Sequence, residues 1–182
     1  VFDEIFVWDA EGSSSVQFNA FEIDKKELGV IVHNNIILQA IFNSLQNLPE
    51  VTLIEEESLA KIFEDQNTID LTTESGKKIS SDILIGADGS LSRVRDLSKI
   101  PIRKWSYDQL AIVSSVKTTK PIGSIAFQIF TDTGPIAFLP LVEGTNHASL
   151  IWSTDKSYGE KLLKLDKEVL SQELRLKTEE RF

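Results

Sequence analysis

The residues best arranged for chemistry lie in one stretch, Asp82-Ile83-Leu84-Ile85-Gly86-Ala87-Asp88-Gly89-Ser90-Leu91-Ser92-Arg93-Val94-Arg95. Its apolar run, Ile83-Leu84-Ile85, predicts a short strand buried on both faces, leading through two glycines into a helix. Glycine removes the Cβ penalty where a backbone must turn sharply or let another group come close. Ser90 or Ser92 can cap the helix, whose free N–H groups form an anion-binding end. Asp88, at the carboxyl end of the strand, can accept hydrogen bonds from backbone or from the hydroxyls of a ribityl-type chain. Arg95 can pair with a phosphate or a carboxylate. The same residues also describe a plain tight turn whose aspartate caps a helix, and physics alone leaves both readings open.

Other chemistries find less support. There is no cysteine, which excludes disulfides and thiolate metal sites. The two histidines, His33 and His147, fall beside a helix start and in a hairpin turn, and two separated histidines make no metal site. No serine sits in a nucleophile-elbow context with histidine and aspartate partners, so hydrolase chemistry is unsupported. With 28 acidic and 19 basic side chains the net charge is −9, which disfavours nucleic acid as a partner. Hydrophobic residues make up 41% and charged residues 26%, the balance of a globular chain rather than a disordered one. The longest apolar runs fall far short of the roughly 20 residues of a membrane span, and no signal-peptide pattern opens the sequence. A length of 182 residues without a methionine suits one domain or, as expected here, an internal piece of a larger one.

The elements that must position the Gly-Ala-Asp-Gly run follow from periodicity. Ile5-Phe6-Val7-Trp8 and Val16-Gln17-Phe18, joined by Glu11-Gly12-Ser13-Ser14-Ser15, predict a hairpin. Val30-Ile31-Val32 predicts a short strand. Ile37, Leu38, Ile41, Leu45 and Leu48 form one helical face, with Asn34 placed to cap and Pro49 to stop the helix. Val51-to-Ile54 predicts a short buried strand. Between Leu59 and Ile85 the period changes to two and predicts an antiparallel meander feeding Ile83-Leu84-Ile85. After Arg103, runs at 110–116, 125–130, 136–141 and 148–152 predict an antiparallel sheet of consecutive hairpins. Asp132-Thr133-Gly134-Pro135 and Glu143-Gly144-Thr145-Asn146 supply turns. From Asp155 the pattern becomes helical.

Six blocks, in order, resemble a known family. The Gly86-to-Arg95 run is similar to the Gly-Ala-Asp-Gly-x-x-Ser-x-Val-Arg segment of FAD-dependent aromatic monooxygenases of the p-hydroxybenzoate hydroxylase type. Val7-Trp8-Asp9-Ala10, Leu28-to-Asn34, Trp105-to-Val113, Gly134-to-Leu141 and Ser149-to-Trp152 resemble segments of the ubiquinone-biosynthesis hydroxylases within it. His33 replaces the usual Glu of the second of these. The Gly-x-Gly-x-x-Gly fingerprint that opens the family, and the Gly-Asp segment that follows its sheet, do not occur. The resemblance therefore implies a central fragment, inactive as it stands.

The resemblance implies an α+β fold, part of an α/β FAD-binding architecture with a truncated nucleotide-binding part, an antiparallel substrate sheet and C-terminal helices. Residues 1–20 would be a hairpin of the substrate sheet, 21–100 a partial FAD-binding domain and 101–182 the sheet with its helices. It implies FAD and NAD(P)H as cofactors of the full-length parent, held with the help of Asp88, Gly89, Arg95 and Asn34, the last more simply read as a plain helix cap. It implies an aromatic or prenylated phenol as substrate, lined by Phe138, Pro140 and Leu141, which also read as sheet core. The cofactor carries the oxygen chemistry, so no catalytic side chain and no metal ligand is assigned. A cytoplasmic protein resting peripherally on the inner membrane face is expected, with self-association through the apolar Ile83-to-Ile85 run. Two alternatives remain: a non-catalytic lipid- or protein-binding module, and a related flavoprotein reductase or halogenase.

Overall fold

Alternation of large apolar and smaller residues at Ile136, Phe138 and Pro140, and at Ala148, Leu150, Trp152 and Thr154, writes two strands with one face turned inward. A computed structural model, describing residues 1–141, 145–179 and 181–182, places both in one sheet. Its strands are β1 (Glu4–Asp9), β2 (Ser15–Asn19), β6 (Gln109–Lys117), β7 (Ile125–Thr131), β8 (Gly134–Pro140) and β9 (His147–Asp155). The remaining strands, β3 (Leu59–Glu64), β4 (Ile69–Thr73) and β5 (Lys78–Ser81), form a separate three-stranded meander. The helices are α1 (Asn34–Gln46), α2 (Arg93–Leu97), α3 (Lys156–Leu162) and α4 (Lys167–Lys177). These elements fall into two compact units, 1–37 with 106–182, and 38–105.

In the first unit the strand order is β2-β1-β7-β8-β9-β6. The expectation of consecutive antiparallel hairpins holds for β7-β8-β9, but β6 pairs with β9 rather than β7, from Gln109↔Asp155 to Lys117↔His147. β1 pairs in parallel with β7, from Glu4↔Ile125 to Asp9↔Phe130. Below β1, Ser124 donates its hydroxyl to the Asp3 carboxylate at 2.6 Å. One face of this sheet packs into a core of Trp8, Ile112, Ile129, Ile136, Phe138, Leu150 and Trp152, with Leu162 contributed by α3. Gly134 is required at the start of β8: its φ is +133°, and a Cβ there would stand 2.4 Å from the Ser153 carbonyl oxygen. The Glu143-Gly144 part of the expected turn before β9 lies outside the described residues.

In the second unit the meander pairs β3 with β4 and β4 with β5, both antiparallel. Three expected strands are absent. Residues 30–32, 51–54 and 83–85 carry no ladder, and Ile83 and Ile85 are 75% and 81% exposed rather than buried. A strand needs a neighbour to accept its hydrogen bonds, and among the described residues none lies beside these runs; near the first there is only the isolated bridge Phe2↔Gly29.

Candidate functional site

The turn after Ile85 is built around the Asp88 carboxylate. Its Oδ1 accepts the Ser92 hydroxyl at 2.5 Å. Its Oδ2 accepts the backbone N–H groups of Arg93 at 2.6 Å and Val94 at 3.1 Å. Ser92, 7% exposed, is the N-cap of α2 and accepts the Arg95 N–H at 3.1 Å. The helix end that looked free to bind an anion is thus filled by the protein's own carboxylate and hydroxyl. Asp88 itself remains exposed. The Ser92 hydroxyl foremost, then the Val94 amide, hold its pKa down from the ordinary 3.8 to about 2, so it is an anion at neutral pH.

Two glycines shape this turn in different ways. Gly86 lets the segment after Ile85 approach α2, since a Cβ there would sit 3.0 Å from Val94 Cγ1. Gly89 has φ +82°, and nothing lies within 4 Å of where its Cβ would be. The backbone beside Asp88 is therefore bare and accessible.

Arg95 keeps a guanidinium with a side chain only 19% exposed, 3.6 Å from Asp96. It donates from Nη2 to the Ser90 carbonyl at 3.0 Å, bracing the turn it follows. Sequence reasoning gave Arg93 no role. Its Nε donates to the Leu59 carbonyl at 2.8 Å and its Nη2 to Glu74 at 2.9 Å, locking α2 onto the meander. Only its place one residue after the capping serine could have signalled this. Beside the turn a cavity of about 400 Å³ is lined by Ile62, Leu84, Gly86, Val94 and Arg95, among others.

The other expected site residues are placed as follows. Asn34 is the exposed first residue of α1 rather than its cap; the preceding His33 carbonyl accepts the amides of Ile36 and Ile37 at 3.0 and 3.5 Å. Phe138 is 1% exposed and stacks on Phe182 with centroids 4.3 Å apart. Pro140 is buried on the same inward alternation, and Leu141 follows the strand half-buried. Sheet parity therefore gives Ala137 and Leu139 to the opposite face. A row across that face, Val16, Val7, Gln128, Ala137, Ile151 and Val113, is fixed by the register of all six strands. Sequence reasoning named the hairpin but not which of its faces was free.

No family model matches the chain. In fold it is similar to PqsL, a probable FAD-dependent monooxygenase from Pseudomonas aeruginosa, with a TM-score of 0.77 at 18% identity over 95% of this chain and 48% of that one. The architecture is accordingly that of the flavin monooxygenases, in partial form. In sequence it is 32% identical to the ubiquinone biosynthesis monooxygenase COQ6 of Danio rerio over 92% of its own length, and 36% identical to the 3-demethoxyubiquinol 3-hydroxylase of Escherichia coli over 80%. The chain is thus a homologue of the ubiquinone-biosynthesis hydroxylases, and it spans 36% of the length of each of these two relatives.

Proposed function

We propose that this chain is the central portion of a FAD-dependent, NAD(P)H-using hydroxylase that oxygenates an aromatic, prenylated phenol in ubiquinone biosynthesis. The observation that carries the reading is the acceptor count at Asp88. An ionised carboxylate has about four acceptor positions, and three are filled by Ser92, Arg93 and Val94. One remains, on an exposed anion beside the bare backbone of Gly89. That suits a single ribityl or ribose hydroxyl approaching closely.

Asp88 and Gly89 would hold the cofactor's polyol, and Arg95 has guanidinium N–H groups beyond the one given to Ser90 for a phosphate. Asn34 would add an amide at the start of α1. The bound flavin supplies oxygen activation; this chain's residues bind, orient and exclude water. Phe138, Pro140 and Leu141 lie on the hairpin that the family resemblance assigns to substrate. With Phe138 and Pro140 turned into the core, the contact falls to Ala137, Leu139 and Leu141.

No described helix is long and apolar enough to cross a membrane. A prenylated substrate would still bring the enzyme peripherally to the inner membrane face from the cytoplasm. The chain alone is proposed not to turn over. Titration of FAD into it should give no tight stoichiometric complex, whereas the full parent protein should hydroxylate a prenylphenol in a flavin-dependent way. The exposed apolar face of α1, with Ile37, Leu38 and Ile41 at 45%, 57% and 52% exposure, favours a second reading as a lipid- or protein-binding module. A parent protein that neither binds flavin nor hydroxylates would decide for it.

A further inference from the structure

Helix α4 starts at an Asp166 cap, whose side chain accepts the amides of Glu168 and Val169 at 3.0 and 2.9 Å. Lys167, Leu170, Ser171, Leu174, Arg175 and Thr178 recur at three- and four-residue steps and so share one side of the helix. Between that side and strands β6, β8 and β9 lies a cavity of about 360 Å³, within the range of small-molecule pockets.

Its lining divides by chemistry. Val116, Leu170, Leu174 and Phe182 supply an apolar body, and the Phe182 ring stacks on the buried Phe138. Trp152 is fully buried, and its indole N–H has no acceptor. The charged side chains of the lining are Lys117, Lys167 and Arg175, without one acidic side chain, on a chain in which acids outnumber bases 28 to 19. None of these three cations forms an ion pair among the described residues. The neighbouring Glu173 and Lys177 are engaged elsewhere: Glu173 accepts the Tyr158 hydroxyl at 2.5 Å and Lys177 pairs with Asp132. An apolar pocket with an unopposed cationic rim selects a ligand that is apolar at one end and anionic at the other.

We propose that this cavity is a binding site for an amphipathic carboxylate, its apolar body against Val116, Leu170 and Leu174 and its carboxylate at the Lys117, Lys167 and Arg175 rim. The site is separate from the flavin reading, because every lining residue belongs to the sheet unit and none to the Gly86-to-Arg95 turn.

Decanoate titrated into the chain, followed by tryptophan fluorescence and calorimetry, should show saturable one-to-one binding, with decanol at least tenfold weaker. Lys167 and Arg175 are exposed, so the double variant K167A/R175A should keep its thermal unfolding midpoint. It should bind decanoate at least tenfold more weakly and decanol unchanged, while K167R/R175K retains decanoate. The proposal is overturned by equal binding of decanoate and decanol, by an unaffected K167A/R175A variant, or by no saturable binding. Capture by phosphatidylglycerol vesicles without binding of monomeric decanoate also overturns it, since the ligand would then be a bilayer surface.

Discussion

Ser92 stands between Asp88 and Arg95, giving its hydroxyl hydrogen to the Asp88 carboxylate at 2.5 Å and accepting the Arg95 amide at 3.1 Å. One side chain thereby caps α2 and holds the aspartate that faces the bare Gly89 backbone. Replacing Ser92 with alanine removes the largest cause of the low Asp88 pKa, which should rise from about 2 toward its ordinary 3.8. An NMR titration of the Asp88 carboxyl carbon reads this directly. Because the folded value lies below the unfolded one, the linked stability is present above pH ~4 and lost as pH falls through about 2. In the wild-type chain the Arg93 and Val94 amide shifts should move across that same window. Shifts that move only above pH 5 would contradict this arrangement.

The two glycines of the turn should answer differently to substitution. In Gly89→Ala the new methyl meets open space but the backbone is held at φ +82°, a conformation costing an alanine about 1–2 kcal/mol. In Gly86→Ala the backbone is unstrained, but the methyl meets Val94 at 3.0 Å. Val94→Ala should therefore restore stability to the Gly86 variant and do nothing for the Gly89 variant. Urea unfolding of the two double mutants checks the contrast.

Gly134→Ala should be the most damaging substitution among the described glycines. It combines a φ of +133° with a methyl 2.4 Å from the Ser153 carbonyl oxygen, a backbone atom of β9 that cannot rotate away. Gly123→Ala, with φ +64° and open space around it, should cost only the roughly 1 kcal/mol of a left-handed alanine. Thermal unfolding should separate the two by several degrees. Similar melting points would mean that the β7–β8 hairpin relaxes more than its register suggests.

Ile83 and Ile85, at 75% and 81% exposure, form an exposed apolar run outside any ladder among the described residues, the kind of surface through which chains self-associate. The double substitution I83K/I85K should lower the weight-average mass in sedimentation at high concentration. The melting temperature should hardly change, because neither side chain is packed. A fall in stability with no change in mass would reverse the interpretation.

Much of the fold was legible locally. The two-residue period of Ile69 and Leu71, the alternation through Ile136 and Phe138, and the four-residue step of Leu170 and Leu174 each identify an element from its own side chains. What local pattern cannot carry is partnership. Val30-Ile31-Val32, Val51-to-Ile54 and Ile83-Leu84-Ile85 have the composition of strands, yet a ladder depends on a neighbour that no side chain in the run specifies. The pairings β1–β7 and β6–β9 escaped for the same reason.

At the site, the residue types of the turn were legible and their occupancy was not. Nothing in Gly-Ala-Asp-Gly says that three of the aspartate's acceptor positions go to Ser92, Arg93 and Val94, or that Arg95 reaches back to Ser90. Those assignments depend on where a helix of five residues begins.

The parallel seam between β1 and β7 also sets a timetable for synthesis. Asp3 and Ser124 meet across a sequence separation of 121, so the first hairpin leaves the ribosome with one edge unsatisfied and must wait for β7 to be translated. Closure of such a distant seam is slow. During that interval the open edge of β1 is a sticky template, and a chaperone or a slowed ribosome would raise the yield of correctly assembled protein.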